Sequence, residues 1–176
     1  VPAPATVWLT GLSGAGKSTI AEAAAAALRA RGARVVLLDG DRLRLGLNRD
    51  LGFSAADRRE NVRRIAEVAR LFTDEGHLVL VPVIAPFAAD RAEARRIVGA
   101  GRFMEVWVEA PLAVCEARDV KGLYRRARAG ELPEFTGVSS PYEPPAAPDL
   151  VLHTDEVPLG DCVDRLLSAL AARRPS

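Results

Sequence analysis

Apolar runs of strand length alternate along the chain with longer segments of helical period. The first run is Thr6-Val-Trp-Leu-Thr10. After a glycine-rich turn the pattern predicts a helix from about Ser18 to Arg31, with five alanines from Ala23 to Ala27 and Gly32 as its stop. Arg34 to Asp39 reads as a second strand. Ala55 to Glu75 reads as a long amphipathic helix, because Val62, Ile65, Val68, Ala69 and Phe72 recur at i, i+3, i+4 spacing, and Gly76 closes it. His77 to Ile84 is a third strand, and Asp90 to Val98 a helix rich in Arg and Ala. Phe103 to Glu109 is a fourth strand. Pro111 opens a short helix, where a first-turn proline is tolerated. Asp149 to His153 is a fifth strand, and a last helix runs from about Leu159 to Ala172.

Strands that are apolar throughout, each followed by a helix, predict an α/β domain whose mainly parallel sheet is covered on both faces. One stretch departs from the alternation. Residues 120–148 carry Lys121-Gly-Leu-Tyr124, an Arg-rich piece, Phe135-Thr-Gly137 and five prolines, with no pattern of their own. A long structureless segment inside a compact domain is functional or disordered.

Composition narrows the classes. Hydrophobic residues make up 49% of the 176, almost all aliphatic, which suits helices on an aliphatic sheet and one core. A single domain is expected over 6–176, behind a flexible lead-in at 1–5. The 24 Lys and Arg nearly cancel the 23 Asp and Glu, and no basic stripe stands out, so nucleic acid is not the expected partner. No apolar run is long enough to cross a bilayer, and the N-terminus lacks the build of a secretion signal. A cytoplasmic protein is expected, with Cys115 and Cys162 as buried free thiols. The chain starts at Val1 rather than Met and reads as trimmed or cut from a longer protein.

The chemistry enters at Gly11-Leu-Ser-Gly-Ala-Gly-Lys-Ser18, which fits GxxxxGK[ST] in full, after a predicted strand and before a predicted helix. In such a P-loop the backbone of Gly11, Ser13, Gly14, Ala15 and Gly16 wraps a triphosphate, with Thr19 close behind. Lys17 brings a cation to the β- and γ-phosphates, and the Ser18 hydroxyl is placed to ligate Mg²⁺. The expected fold is therefore a three-layer αβα P-loop NTPase with a five-stranded sheet, and residues 120–148 become a lid that excludes water.

Ligands of such sheets sit at the carboxyl ends of the strands. There Asp39-Gly-Asp41 offers a carboxylate for Mg²⁺ or for the proton of an attacking hydroxyl; the competing reading is a solvated Asp-Gly turn. Arg44 and Arg58 have the fork geometry for an anionic acceptor, and Phe53 the face for a base. Composition alone does not separate these arginines from their neighbours on a solvated helix face.

Further segments join the phosphate loop: Leu38-Asp-Gly-Asp41, Asp50-Leu-Gly-Phe-Ser54, Asp57-Arg-Arg-Glu-Asn-Val-Arg-Arg64, Cys115 to Tyr124, Phe135-Thr-Gly137 and Pro141-Tyr-Glu-Pro144. Together, from about Val7 to Leu170, the chain resembles the adenylyl-sulfate (APS) kinase family. The resemblance implies transfer of the ATP γ-phosphate to the 3′-hydroxyl of adenylyl sulfate, giving 3′-phosphoadenylyl sulfate (PAPS) and ADP, with Mg²⁺ accompanying ATP. It implies roles for Lys17, Asp41 and Lys121 at the transferring group, and for Ser18 and Asp41 near Mg²⁺. Arg118 would border the ATP adenine. Arg44, Arg58 and Asn61 would hold the phosphosulfate, and Phe53 and Phe135 would sandwich the acceptor adenine. Ile84, Ala85, Gly122 and Leu123 would complete the acceptor pocket. A homodimer is implied, and an association with ATP sulfurylase is a further expectation.

One position departs from the family pattern. Where the family reads Ile-Ser-Pro, this chain reads Ile84-Ala-Pro86. Ala85 cannot carry a phosphate, so transfer is expected to be direct. Two other readings stand beside the first. A divergent kinase for another nucleotide or metabolite is favoured only by Ala85. A non-catalytic PAPS-sensing domain of a sulfurylase assembly is opposed by intact Lys17, Ser18 and Asp41.

Overall fold

The computed structural model describes residues 1–173; the last three residues of the expected domain, 174–176, lie outside the described residues. Five strands form one sheet: β1 (Ala5–Thr10), β2 (Val35–Leu37), β3 (Leu78–Pro82), β4 (Phe103–Glu109) and β5 (Leu150–His153). Their order is β2-β3-β1-β4-β5, and every pairing is parallel. A mainly parallel sheet was the expectation; the described sheet is wholly parallel. β1 begins at Ala5, one residue before the expected start, because Ala5 pairs with Leu78 and is buried.

Helices cover both faces. α1 (Lys17–Ala30) turns Ile20, Ala21, Ala24, Ala25 and Leu28 inward, and α7 (Leu159–Ala172) turns Cys162, Val163, Leu166, Leu167 and Leu170. Both stripes have helical period and meet Val7, Leu9, Leu80, Val106 and Val108 on one face of the sheet. The alanines of α1 let the helix lie close to the strands. The opposite face takes α3 (Ala55–Asp74) and α4 (Ala88–Val98), which cover Trp8, Val79, Val81 and Phe103. Trp8 and Phe103 stack there with ring centroids 5.7 Å apart. Alternation along β1 sends Val7 and Leu9 to one core and Trp8 to the other.

Two short helices were not expected. α2 (Gly40–Arg44) starts directly after β2, which stops at Leu37 instead of running to Asp39. Asp39 is its N-cap: the carboxylate accepts from the N–H groups of Asp41 and Arg42 at 3.0 and 3.1 Å. α6 (Leu123–Arg128) lies inside the segment read as structureless. It forms because Tyr124 and Ala127 are buried on one side, and because the Asp119 carboxylate accepts from the N–H groups of Tyr124 and Arg125. α5 (Leu112–Arg118) precedes it, after Pro111.

Candidate active site

The residues singled out from the sequence gather at the carboxyl edge of the sheet. The glycine-rich loop leaves β1 and enters α1 at Gly16. Its tight course needs glycine at two points. A Cβ on Gly11 would stand 2.2 Å from the Val108 carbonyl oxygen. Gly14 has φ 79°, and a Cβ there would meet the Cys115 carbonyl oxygen at 2.9 Å.

Side chains from outside hold the carbonyls of this loop. The buried Tyr124 donates its hydroxyl to Ser13 O at 2.7 Å. Arg118 donates to Gly14 O at 3.0 Å and to Thr154 O at 2.9 Å, and the Thr154 hydroxyl donates to Ala15 O at 2.6 Å. With their carbonyls drawn outward, these peptides keep the arrangement in which a glycine-rich loop turns N–H groups to an anion. Tyr124 and Thr154 were not picked out as site residues from the sequence. Tyr124 stood in a quoted motif, and Thr154 follows β5 with no local pattern to mark it.

Lys17 opens α1 and is buried, with Nζ donating to Leu12 O at 2.8 Å. Burial pulls its pKa down from 10.5 to about 8, and the nearby charge of Lys121 adds to the fall. Ser18 donates its hydroxyl to Asp39 Oδ2 at 3.0 Å. Asp39 thus joins the phosphate loop to the N-terminus of α2, a double role that the Asp-Gly-Asp motif did not assign to it. Asp41, in the first turn of α2, is paired with Lys121 across the cleft. Both are more than half exposed, which makes this an ion pair that a stronger anion can open.

The second half of the site is cationic and aromatic. Phe53 is 55% exposed, a large aromatic left out of the core. The Arg44 guanidinium lies 4.3 Å from its ring centroid and that of Arg58 5.6 Å. Arg44 donates to Leu51 O and Gly52 O, and Arg58 to Phe53 O and Glu134 O. Burial lowers the pKa of both, and in Arg58 the charge of Arg44 lowers it further. Two like charges drawn out of water side by side are compensated when an anion lies between them. Asn61 is buried and accepts from Asn48 Nδ2 at 2.9 Å, so its own amide group is oriented. Phe135 sits edge-on to Tyr124, centroids 5.1 Å apart, half in the core. Gly122, with φ 68°, caps α6, and Leu123 begins it. Ile84 and Ala85 follow β3 opposite Thr10, whose hydroxyl donates to Ile84 O at 2.5 Å. A cleft of about 560 Å³ between Leu12 and residues 137–142 adjoins the phosphate loop.

Among the described residues no three His, Cys, Asp or Glu side chains come together as a metal site. The donor set at the loop suits Mg²⁺ nonetheless. That ion takes one or two protein oxygens and completes its shell with phosphate and water, and Ser18 with the Asp39 and Asp41 carboxylates supplies such oxygens. Nor is any described helix long and apolar enough to cross a membrane.

Comparison with known proteins places the chain among relatives. The family model for adenylylsulphate kinase matches residues 3–153. The adenylyl-sulfate kinase of Paraburkholderia xenovorans is 57% identical over 166 residues, which are 94% of this chain and 92% of that one. The structure of the Mycobacterium tuberculosis APS kinase CysC in complex with AMPPNP and APS superposes with a TM-score of 0.92 at 50% identity, over 97% of this chain and 99% of the other. A hexameric APS kinase from Thiobacillus denitrificans gives a TM-score of 0.69 at 35% identity, over 94% of this chain and 28% of the longer one. With the family model matched over residues 3–153 and relatives 50–57% identical over nearly the whole chain, the chain belongs to the adenylylsulphate kinase family.

Proposed function

We propose that the chain transfers the γ-phosphoryl group of ATP to the 3′-hydroxyl of adenylyl sulfate, releasing ADP and PAPS. The observation that carries this reading is the pairing of two anion sites across one cleft. The phosphate loop with buried Lys17 lies on one side, Arg44 and Arg58 around an exposed Phe53 on the other, and Asp41 with Lys121 between them.

The residues would work as follows. The loop amides and Lys17 hold the β- and γ-phosphates, and Lys17 exchanges its bond to Leu12 O for them. Arg118 stands by the adenine side of the loop. Arg44, Arg58 and Asn61 hold the phosphosulfate, and Phe53 and Phe135 hold the acceptor base. The triphosphate draws Lys121 away from Asp41, and the freed carboxylate accepts the proton of the 3′-hydroxyl. The 3′-oxygen then bonds to the γ-phosphorus as the bond to the β-phosphate oxygen breaks. Charge compensation and positioning carry such a transfer. Ser18 with the Asp39 and Asp41 carboxylates would hold Mg²⁺, which would supply neutralisation of phosphate charge. Residues 120–148, anchored by α6, act as the lid. A cytoplasmic homodimer that associates with ATP sulfurylase belongs to the same reading.

The decisive experiment mixes the purified protein with MgATP labelled in the γ-phosphate and adenylyl sulfate. ADP and labelled PAPS should form in equal amounts with no label on the protein, since Ala85 offers no hydroxyl. ATP binding without PAPS formation sinks the proposal.

The pKa of Lys17 gives a second test. In the unliganded protein the ammonium is half lost at about pH 8 and is lost progressively as pH rises through that value. Polyphosphate restores the proton, so nucleotide affinity should fall as pH rises through about 8 to 9.5, with proton uptake on binding. Calorimetry with AMPPNP in buffers of different ionisation enthalpy reads both. A flat affinity with no proton uptake would show that Lys17 does not meet the phosphates as a perturbed base. The same shift has a stability counterpart. The unfolded chain holds this proton up to about 10.5, so the cost of burying the charge is present below pH 8 and fades as pH rises from there.

A further inference from the structure

Arg91 stands in an Arg-rich helix with no motif to mark it, yet its side chain is only 2% exposed. All three guanidinium nitrogens are used. Nε donates to Glu105 Oε1 at 2.9 Å, Nη1 to Ala85 O at 2.7 Å and Nη2 to Glu143 O at 2.6 Å. Its carbon lies 5.7 Å from the centroid of the Tyr142 ring. Tyr142 and Thr10 join their hydroxyls at 2.9 Å, and Thr10 donates its own proton to Ile84 O, so Tyr142 is the donor between them. Glu143 closes the frame twice: its N–H donates to Pro86 O at 2.8 Å, and its carboxylate accepts from Ala88 N–H at 2.6 Å. One buried cation therefore ties the loop after β3 to the proline-rich strap that follows Phe135.

The loop it holds is strained. Ala85 has φ 43°, a left-handed conformation that a residue with a Cβ keeps only where its surroundings over-determine it. Thr10 fixes the carbonyl before Ala85 and Arg91 the carbonyl after it. Peptides are planar, so these two bonds set both peptide planes around Ala85 and aim its N–H away from Thr10. A buried ion pair between Arg91 and Glu105 alone would serve stability no better than an apolar pair of similar volume. It would not explain why two of three nitrogens are spent on carbonyls of two separate segments.

We infer that Arg91 is a positioning residue for the acceptor: it fixes the peptide planes at Ala85 and locks them to the strap, so that the acceptor wall and the end of the lid take up one geometry together. This rests on the reading of Ile84 and Ala85 as part of the acceptor pocket.

The test is Arg91→Lys, which keeps the charge opposite Glu105 but not the three-pronged fork. The KM for adenylyl sulfate should rise about tenfold or more, while the KM for ATP stays within about twofold. Thr10→Val, which removes the pin on Ile84 O without changing shape, should move the same KM in the same direction by about threefold. If Arg91→Lys does not fold, Thr10→Val decides alone. A lower melting temperature with both KM values unchanged, or an equal rise in both, assigns Arg91 to packing and overturns the inference. Wild-type protein that makes no PAPS removes the acceptor pocket itself, and this inference with it.

Discussion

Replacing Lys17 with methionine is expected to lower kcat/KM by about a thousandfold, with no loss of thermal stability. The two halves of this result have one cause. Lys17 is buried at the start of α1, and its pKa of about 8 records the cost of keeping an ammonium out of water. Methionine has a similar length and no charge to desolvate, so the fold should hold its melting temperature or gain. Activity should go the other way. The γ-phosphoryl group in flight spreads negative charge over its oxygens, and a cation in a water-poor site compensates it far more strongly than one in solvent. Arginine at the same position should not rescue, because a planar fork does not fit the space in which Nζ reaches Leu12 O. Steady-state kinetics and a thermal melt on the same preparation check both halves. Activity retained within about tenfold would move the phosphate-binding cation elsewhere, with Lys121 as the next candidate.

What the sequence disclosed depended on how local the cause was. The fourth strand and the last helix have the limits read from their pattern, because each buries a regularly spaced set of apolar side chains within its own residues. α2 was missed for a physical reason. Its residues Gly40 to Arg44 include no buried residue, and it exists because the Asp39 carboxylate caps it while accepting from Ser18, a contact 21 residues away in sequence. α6 was missed in the same way. It is a six-residue helix, too short to be stable alone, and it stands on the burial of Tyr124 and Ala127, with the Tyr124 hydroxyl bonded to Ser13, 111 residues away.

The candidate site divides along the same line. The phosphate loop was legible from its motif and flanks, since the chemistry is carried by backbone and neighbouring residues. The residues proposed to hold the acceptor were not legible from composition. In the sequence Arg44 and Arg58 look like any helix-face arginines, and only the fold brings both to Phe53. It was resemblance to a family that singled them out. Thr154 and Arg91 escaped altogether, because partners of theirs lie 139 and 52 residues away, at Ala15 and Glu143; Asp39 stood in the Asp-Gly-Asp motif, but its bond to Ser18, 21 residues away, did not show there.

Asp41→Asn is the second large effect. It should lower kcat by about 10²- to 10³-fold while AMPPNP still binds within about threefold of the wild-type affinity. Asparagine preserves the size of the side chain, and the cap on α2 survives because it uses the backbone N–H of residue 41 and the carboxylate of Asp39. What is lost is a carboxylate able to take the proton of the acceptor hydroxyl, together with the partner of Lys121. These two losses can be separated. Lys121→Met leaves the carboxylate in place and removes the cation, and should cost about a hundredfold by itself. If Asp41 and Lys121 act in one step, the double variant will fall well short of the product of the two single losses, since residues acting as a unit are not additive. If the losses multiply, the ion pair in the open cleft is only a resting contact, and the two side chains serve separate steps. An Asp41→Asn protein that keeps kcat within about threefold would place proton removal on the transferred phosphate itself, and leave Asp41 as a neighbour of the metal and no more.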